Sequence, residues 1–459
     1  MHNARNRTNR YVFMSSTGNT LVSARWLITA TGNGVHTIEH AALIFDEAGI
    51  ITALGSAVEL SRSESIANRI DLPNHLLAPG LINAHCHAAM CLLRGAADDL
   101  PLHRWLQERI WPMETELVDE AFVQTGTQLA IAEMLLGGTT TCVDMYFYSR
   151  AVARAFLSAG MRGVLALPVI DFPTRYASDA DAYITTGLLV RDEFADEPLL
   201  SFALAPHAPY TISDATFTRV LAFANELGLP VHTHLQETAQ EVTDAIARTG
   251  ERPTARLARL GALGPDFFAA HCVHLNEEDI ATLARYGSSV VHCPSSNLKL
   301  ASGLAPIAHM LAAGINVSLG TDGAASNNRL DMFEEMRLAA LIGKVQANDA
   351  SAVNAAQAFT MATLGGARAT GIAHVTGSLE VGKAADMIAV SLNSPGMTPL
   401  FDPVSHFVYA ASRADVSDVW VAGEQRVNAG ALTGAMAHTV SELAPSIQSF
   451  SERVAALRK

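Results

Sequence analysis

The sequence predicts an α/β fold, a parallel (β/α)8 barrel of the TIM type carrying a small β-sandwich domain built from both chain ends. Three observations predict it. Eight short apolar runs alternate with helix-length amphipathic segments through the middle of the chain. Polar, ligand-type residues sit at the C-terminal ends of those runs, where barrel active sites form. Short-strand patterning occupies residues 21–78 and returns after about residue 375.

Residues 1–20 are polar, without the apolar core of a secretory signal, and read as a disordered leader in which Met14 is an alternative start. Residues 21–79 are apolar runs broken by Gly, Asn and Asp, and read as strands and turns. The fragment TGNGVHT at 31–37 has no helix pattern behind it, which argues against a dinucleotide-binding loop. The barrel is expected over 80–374, with strands at 81–87, 139–145, 163–169, 200–206, 230–236, 267–273, 289–295 and 316–322. Residues 375–459 complete the smaller domain and finish in a helix over 440–459.

Composition narrows the function. With 49% hydrophobic and 17% charged residues, the 459-residue chain buries a large core. A net charge of −14 with no basic cluster argues against nucleic-acid binding. No apolar stretch reaches the roughly eighteen residues that span a bilayer, so no membrane partner is expected. Five cysteines, an odd number with no C-x-x-C pair, argue against a disulfide framework and for a reducing cytoplasm.

The chemistry lies at the strand ends. The first expected strand ends in His85 and His87, two residues apart and therefore on one face. The fifth carries His232 and His234 followed by Glu237, the sixth ends at His271, and the eighth ends at Asp322. Singly, each has a plain explanation: a lone strand histidine is usually a hydrogen-bonded core residue, and Thr-Asp-Gly is usually a turn. Together, three neutral imidazoles and a carboxylate make an open catalytic metal site.

These residues lie in PGLINAHCH (79–87), HLQE (234–237), HCVH (271–274), SSNLKL (295–300) and GTDGAASN (320–327). The set resembles the amidohydrolase superfamily. The tracts MCLLRG (90–95), DDLPLHRW (98–105) and IWPME (110–114) resemble its methylthioadenosine/S-adenosylhomocysteine deaminase branch. The resemblance runs over nearly the whole chain from about residue 21. It implies a hydrolase that removes the C6 amino group of an adenine nucleoside. It further implies one divalent metal, zinc by expectation with iron or manganese as alternatives, held by His85, His87, His234 and Asp322. Glu237 is the implied proton shuttle, His271 faces the attacking water, and Asp322 accepts a proton as well as binding metal. His207 lines the substrate pocket, while Trp105 and Glu114 contact the nucleoside. A small-molecule substrate and a homo-oligomer are the expected partners. His232 shares a face with His234, and only the resemblance selects between them.

Binuclear relatives are expected to bridge two metals with a carboxylated lysine, but no lysine precedes Lys299, so one metal is expected. Relatives acting on S-adenosylhomocysteine are expected to hold its carboxylate with arginines. An ungapped alignment puts Leu167 where one belongs and leaves Arg175 as a second contact, which favours 5′-methylthioadenosine or adenosine. Two readings compete: a same-fold hydrolase of another amino-heterocycle (guanine, pterin or triazine), and a metal-free structural relative.

Overall fold

The structure is a computed structural model and describes residues 18–63 and 65–458. Residues 1–17 of the expected leader lie outside the described residues. Asn19 and Thr20, assigned to that leader, instead begin a strand paired with Ile66 and Asn68.

Among the described residues, sixteen strands form two eight-stranded sheets. The first four are β1 (Asn19–Thr31), β2 (Gly34–Phe45), β3 (Ile51–Ser56) and β4 (Ile66–Pro79). All eight expected barrel strands occur: β5 (Leu81–Cys86), β6 (Thr139–Asp144), β7 (Arg162–Val169), β8 (Leu200–Pro206), β9 (Val231–Leu235), β10 (Phe267–His271), β11 (Ser289–His292) and β12 (Val317–Leu319). They pair in chain order, each parallel to the next. They are apolar on both faces because helices cover the outside and side chains fill the inside. Ile82, Val143, Val164, Ala166, Ala203, Phe268 and Val291, from different strands, form one inner cluster.

The seam between β12 and β5 is closed by side chains as well as backbone. Buried Asn83 donates to Thr321 Oγ1 at 2.7 Å and accepts from Thr321 N at 2.9 Å. Asp322 N donates to His85 O at 3.0 Å. Gly320 is required here: a Cβ would stand 2.8 Å from both the nitrogen and the oxygen of the His85 backbone.

The second sheet takes strands from both ends of the chain. After the barrel come β13 (Met387–Ser391), β14 (Val416–Val421), β15 (Glu424–Asn428) and β16 (Ala431–Leu432). The sheet order is β16-β15-β14-β13-β4-β1-β2-β3, so β4 joins the two ends, antiparallel to β13 and parallel to β1. Val22, Leu27, Leu43, Leu77, Met387 and Trp420 pack together in its core. The final helix is longer than expected, Met436–Leu457, and packs Phe450 edge-on against Phe122 of the barrel helix Glu120–Leu136, ring centroids 5.2 Å apart.

One buried ion pair ties the sheets together. Arg162 at the start of β7 donates to both oxygens of Asp386, at 2.8 and 3.2 Å. Asp386 also accepts from Ala422 N at 2.7 Å. Burial opposes its ionisation, but Arg162 holds its carboxyl below the ordinary range. Removing one partner of such a pair strands a buried charge. Asp386→Ala is therefore expected to cost about 3–5 kcal/mol of unfolding free energy, read from the urea midpoint against wild type; Asp386→Asn should cost less.

Candidate active site

His85, His87, His234 and Asp322 reach one point at the C-terminal mouth of the barrel from β5, β9 and the turn after β12. His85 and His87 Nε2 lie 3.5 and 3.3 Å from Asp322 Oδ1. His87 Nε2 and His234 Nε2 are 3.3 Å apart. Two overlapping groups, His85–His234–His271 and His85–His87–Asp322, each keep their ligand atoms within 4.8 Å of one another. The backbone bends to achieve this: Gln236, His271 and Asp322 adopt left-handed φ values of 49°, 70° and 59°. Such strain persists only where the surroundings hold it.

The hydrogen bonds decide where the lone pairs point. His87 Nδ1 donates to Met145 O at 2.6 Å, and His234 Nδ1 donates to His207 O at 2.7 Å. His85 Nδ1 meets His232 Nε2 at 2.8 Å, while His232 Nδ1 donates to Phe268 O at 3.0 Å. Both nitrogens of His232 are thus committed, which removes it as a ligand. Burial keeps the rings of His85 and His234 neutral: it pushes His85 down to about 4 and His234 well below its ordinary value. All three Nε2 atoms face the cluster as lone pairs, and His85 Nε2 is buried without a hydrogen-bond partner. Lone pairs opposed at 3.3 Å repel unless a cation lies between them, so this donor set fits a divalent metal.

Asp322 is tightly held. Its Oδ2 accepts from Ser296 and Ser326 hydroxyls at 2.6 and 2.7 Å, and its Oδ1 from Gly323 N at 2.8 Å. Burial opposes its ionisation, but these three donors favour the carboxylate form. Glu237 shifts the other way: burial raises it more than nearby His271 lowers it. Its backbone N–H donates to half-buried Glu241 at 2.9 Å. Neighbouring Gln236 is anchored to Thr254, Asp279 and the His274 carbonyl. His271 Nε2 lies 3.7 Å from Glu237, with Nδ1 on Asn297 Oδ1 at 2.8 Å. Burial lowers its affinity for protons, yet the Glu237 and Asp322 charges outweigh that and raise it.

His87, His234, Glu237, His271 and Asp322 line a cavity of about 570 Å³ with Trp105, Glu114, Arg175 and His207. Trp105 belongs to a helical span: Leu102–Trp105, a wider π-turn at Leu106–Ile110, then Trp111–Leu117. Its indole is buried and donates to Ala97 O at 3.0 Å. Glu114 accepts from Tyr146 at 2.7 Å, and burial pushes its carboxyl up to about 7. Arg175 is exposed at the rim, 3.4 Å from Glu116 O, and is the only arginine among the described lining residues. Leu167 faces the helix layer against Gly187, so Pro168, Ile170 and Phe172 form the wall at that point. Sequence reasoning passed over Tyr146, Ser296, Asn297, Ser326 and Glu241. Tyr146 had a visible signal, a hydroxyl-bearing aromatic just beyond a barrel strand. Ser296, Asn297 and Ser326 lie in the SSNLKL and GTDGAASN tracts but were given no role of their own, because they bond across loops.

The Amidohydrolase family model matches residues 76–426. A protein of Teredinibacter turnerae named 5-methylthioadenosine/S-adenosylhomocysteine deaminase is 50% identical over 402 residues, covering 86% of this chain and 89% of its own. A Methanopyrus kandleri protein named 5'-deoxyadenosine deaminase is 40% identical over 399 residues, covering 87% and 92%. The crystal structure of an adenosine deaminase from Xanthomonas campestris with bound zinc superposes with a TM-score of 0.92 at 43% identity, covering 95% of this chain and 98% of that one.

Asp322→Ala removes the only carboxylate from the four converging groups. It is expected to weaken zinc binding by at least the ~10–100-fold that loss of a supporting partner costs, measured by competition with a chromogenic chelator. Wild-type affinity in this variant would remove Asp322 from the metal set.

Proposed function

The chain belongs to the amidohydrolase family, and on that premise we propose that it hydrolytically deaminates an adenine nucleoside at C6, giving the inosine analogue and ammonia. The observation that carries this reading is the lone-pair cluster of His85, His87, His234 and Asp322, the last three lining the same cavity as Glu237 and His271. The names of the three similar proteins described above support the substrate class.

One divalent ion is assigned to His85, His87, His234 and Asp322, with zinc favoured by the imidazole-rich set and by the zinc in the similar deaminase structure. When bound, such an ion supplies Lewis acidity, which brings the pKa of water from 15.7 toward about 7. Asp322, kept ionised, takes the proton as water adds to C6. His271 orients the water oxygen. Glu237, whose raised carboxyl holds a proton more readily than an exposed glutamate, delivers it to the ring nitrogen N1. The C6–N bond then breaks as the C6 hydroxyl becomes the carbonyl: the amino group leaves as ammonia with the proton held by Asp322, and the hydroxyl proton returns to Glu237. At the far wall Glu114, fixed by Tyr146, receives the ribose hydroxyls, and Trp105 and His207 pack the nucleoside.

The wall beyond is apolar, with Leu106, Ile110, Ile170 and Phe172, and its one guanidinium stands at the rim. That environment suits an uncharged 5′ group, so 5′-methylthioadenosine or adenosine is preferred and S-adenosylhomocysteine is the slower substrate. Five free, buried thiols suit a reducing compartment, the cytoplasm.

The test is loss of the adenine absorbance band with each of the three nucleosides. No change with any would discard the nucleoside assignment, and equal rates would discard the 5′ preference. Glu237→Gln should lower kcat by about 10²–10⁴-fold with zinc content unchanged; an undiminished kcat would take the proton shuttle away from Glu237.

A further inference from the structure

We infer that His232 is a positioning residue: it fixes the tautomer of His85 and thereby sets how tightly the cluster of His85, His87, His234 and Asp322 holds its metal. The inference rests on the metal reading above and concerns a residue that binds neither metal nor substrate. Both rings are completely buried. His232 stacks on Phe268 with centroids 4.2 Å apart and planes 14° from parallel, so its ring cannot turn freely.

The chain of donors has one direction. The Phe268 carbonyl is an acceptor only, so the proton 3.0 Å away belongs to His232 Nδ1. His232 Nε2 is then bare and accepts from His85 Nδ1 at 2.8 Å. The proton of His85 is therefore on Nδ1, and its Nε2 keeps the lone pair that faces Asp322. His87 and His234 reach the same tautomer by donating directly to the carbonyls of Met145 and His207. His85 alone has an imidazole between its Nδ1 and the carbonyl.

Without that acceptor the His85 proton has two outcomes. It stays on Nδ1 as a buried donor with no partner, or it moves to Nε2 and occupies the lone pair meant for the metal. Either weakens the site. Outer partners of ligating histidines typically contribute 10–100-fold to metal affinity. A merely space-filling His232 predicts no such effect, because an aromatic replacement fills the same volume.

Two variants and one spectrum separate these cases. His232→Phe keeps an aromatic ring on Phe268 but offers no acceptor. It is expected to weaken zinc binding about 10–100-fold by chelator competition, while the metal-free protein melts near wild type. His232→Gln retains an acceptor at the end of its side chain and should stay within about threefold of wild type, far above the Phe variant. Zinc affinity unchanged in His232→Phe, or lowered equally in both variants, would overturn the inference. In the metal-free wild type, long-range ¹H–¹⁵N spectra should place the His85 proton on Nδ1. A proton on Nε2 would overturn it independently of how any variant folds. Failure of the wild type to bind zinc would instead sink the metal reading, while the tautomer measurement still decides the relay.

Discussion

Three neutral imidazole nitrogens and a carboxylate oxygen are held lone pair against lone pair, and much of the surrounding structure exists to keep them there. Such a set repels itself in the absence of a cation, and nothing local to any one strand would assemble it. The barrel supplies the force. β5, β9 and the turn after β12 each deliver ligands, and parallel pairing keeps their C-terminal ends at one level. Left-handed residues at Gln236, His271 and Asp322 turn the chain out of the ladder at that level. The Asn83–Thr321 pair and the clearance at Gly320 bring β12 close enough to β5 for Asp322 to meet His85.

The same burial that makes the cluster costly sorts its carboxylates. Asp322 takes two serine hydroxyls and the Gly323 N–H, so it remains ionised. Glu237 is raised by burial, which outweighs nearby His271, while the Asp322 charge raises it further and Ser302 adds a weak contact at 3.4 Å. Two carboxyl groups on one wall of one cavity are thus pushed apart in basicity. That is the division a reaction needs when one group must take a proton and the other give one.

Support for the pocket also comes from far along the chain. Glu114 sits in the helix Trp111–Leu117, whose Glu116 carbonyl accepts from Arg453 in the final helix at 3.1 Å. The second sheet is likewise tied to the barrel base by Arg162 and Asp386. The chain ends therefore frame the barrel from its base to one wall of its mouth.

The alternation of apolar runs and amphipathic segments was enough to specify eight barrel strands, because a parallel strand buried on both faces has to be apolar throughout. Histidines and carboxylates interrupting those runs marked the site, since polar residues are expensive there without a partner. Leu167 stands against Gly187 in the helix layer rather than in the pocket wall, a distinction not legible in the sequence because one bulge or bend reverses strand alternation. The roles of His232, Asn297, Ser296, Ser326 and Glu241 were illegible because each depends on a hydrogen bond to an atom elsewhere in the fold. By itself, the sequence determined the architecture and which residue types would collect at the mouth of the barrel. Only the tertiary structure decided which nitrogen of each histidine carries its proton, because that is set by the acceptor opposite it, and acceptors meet donors only when the chain has closed.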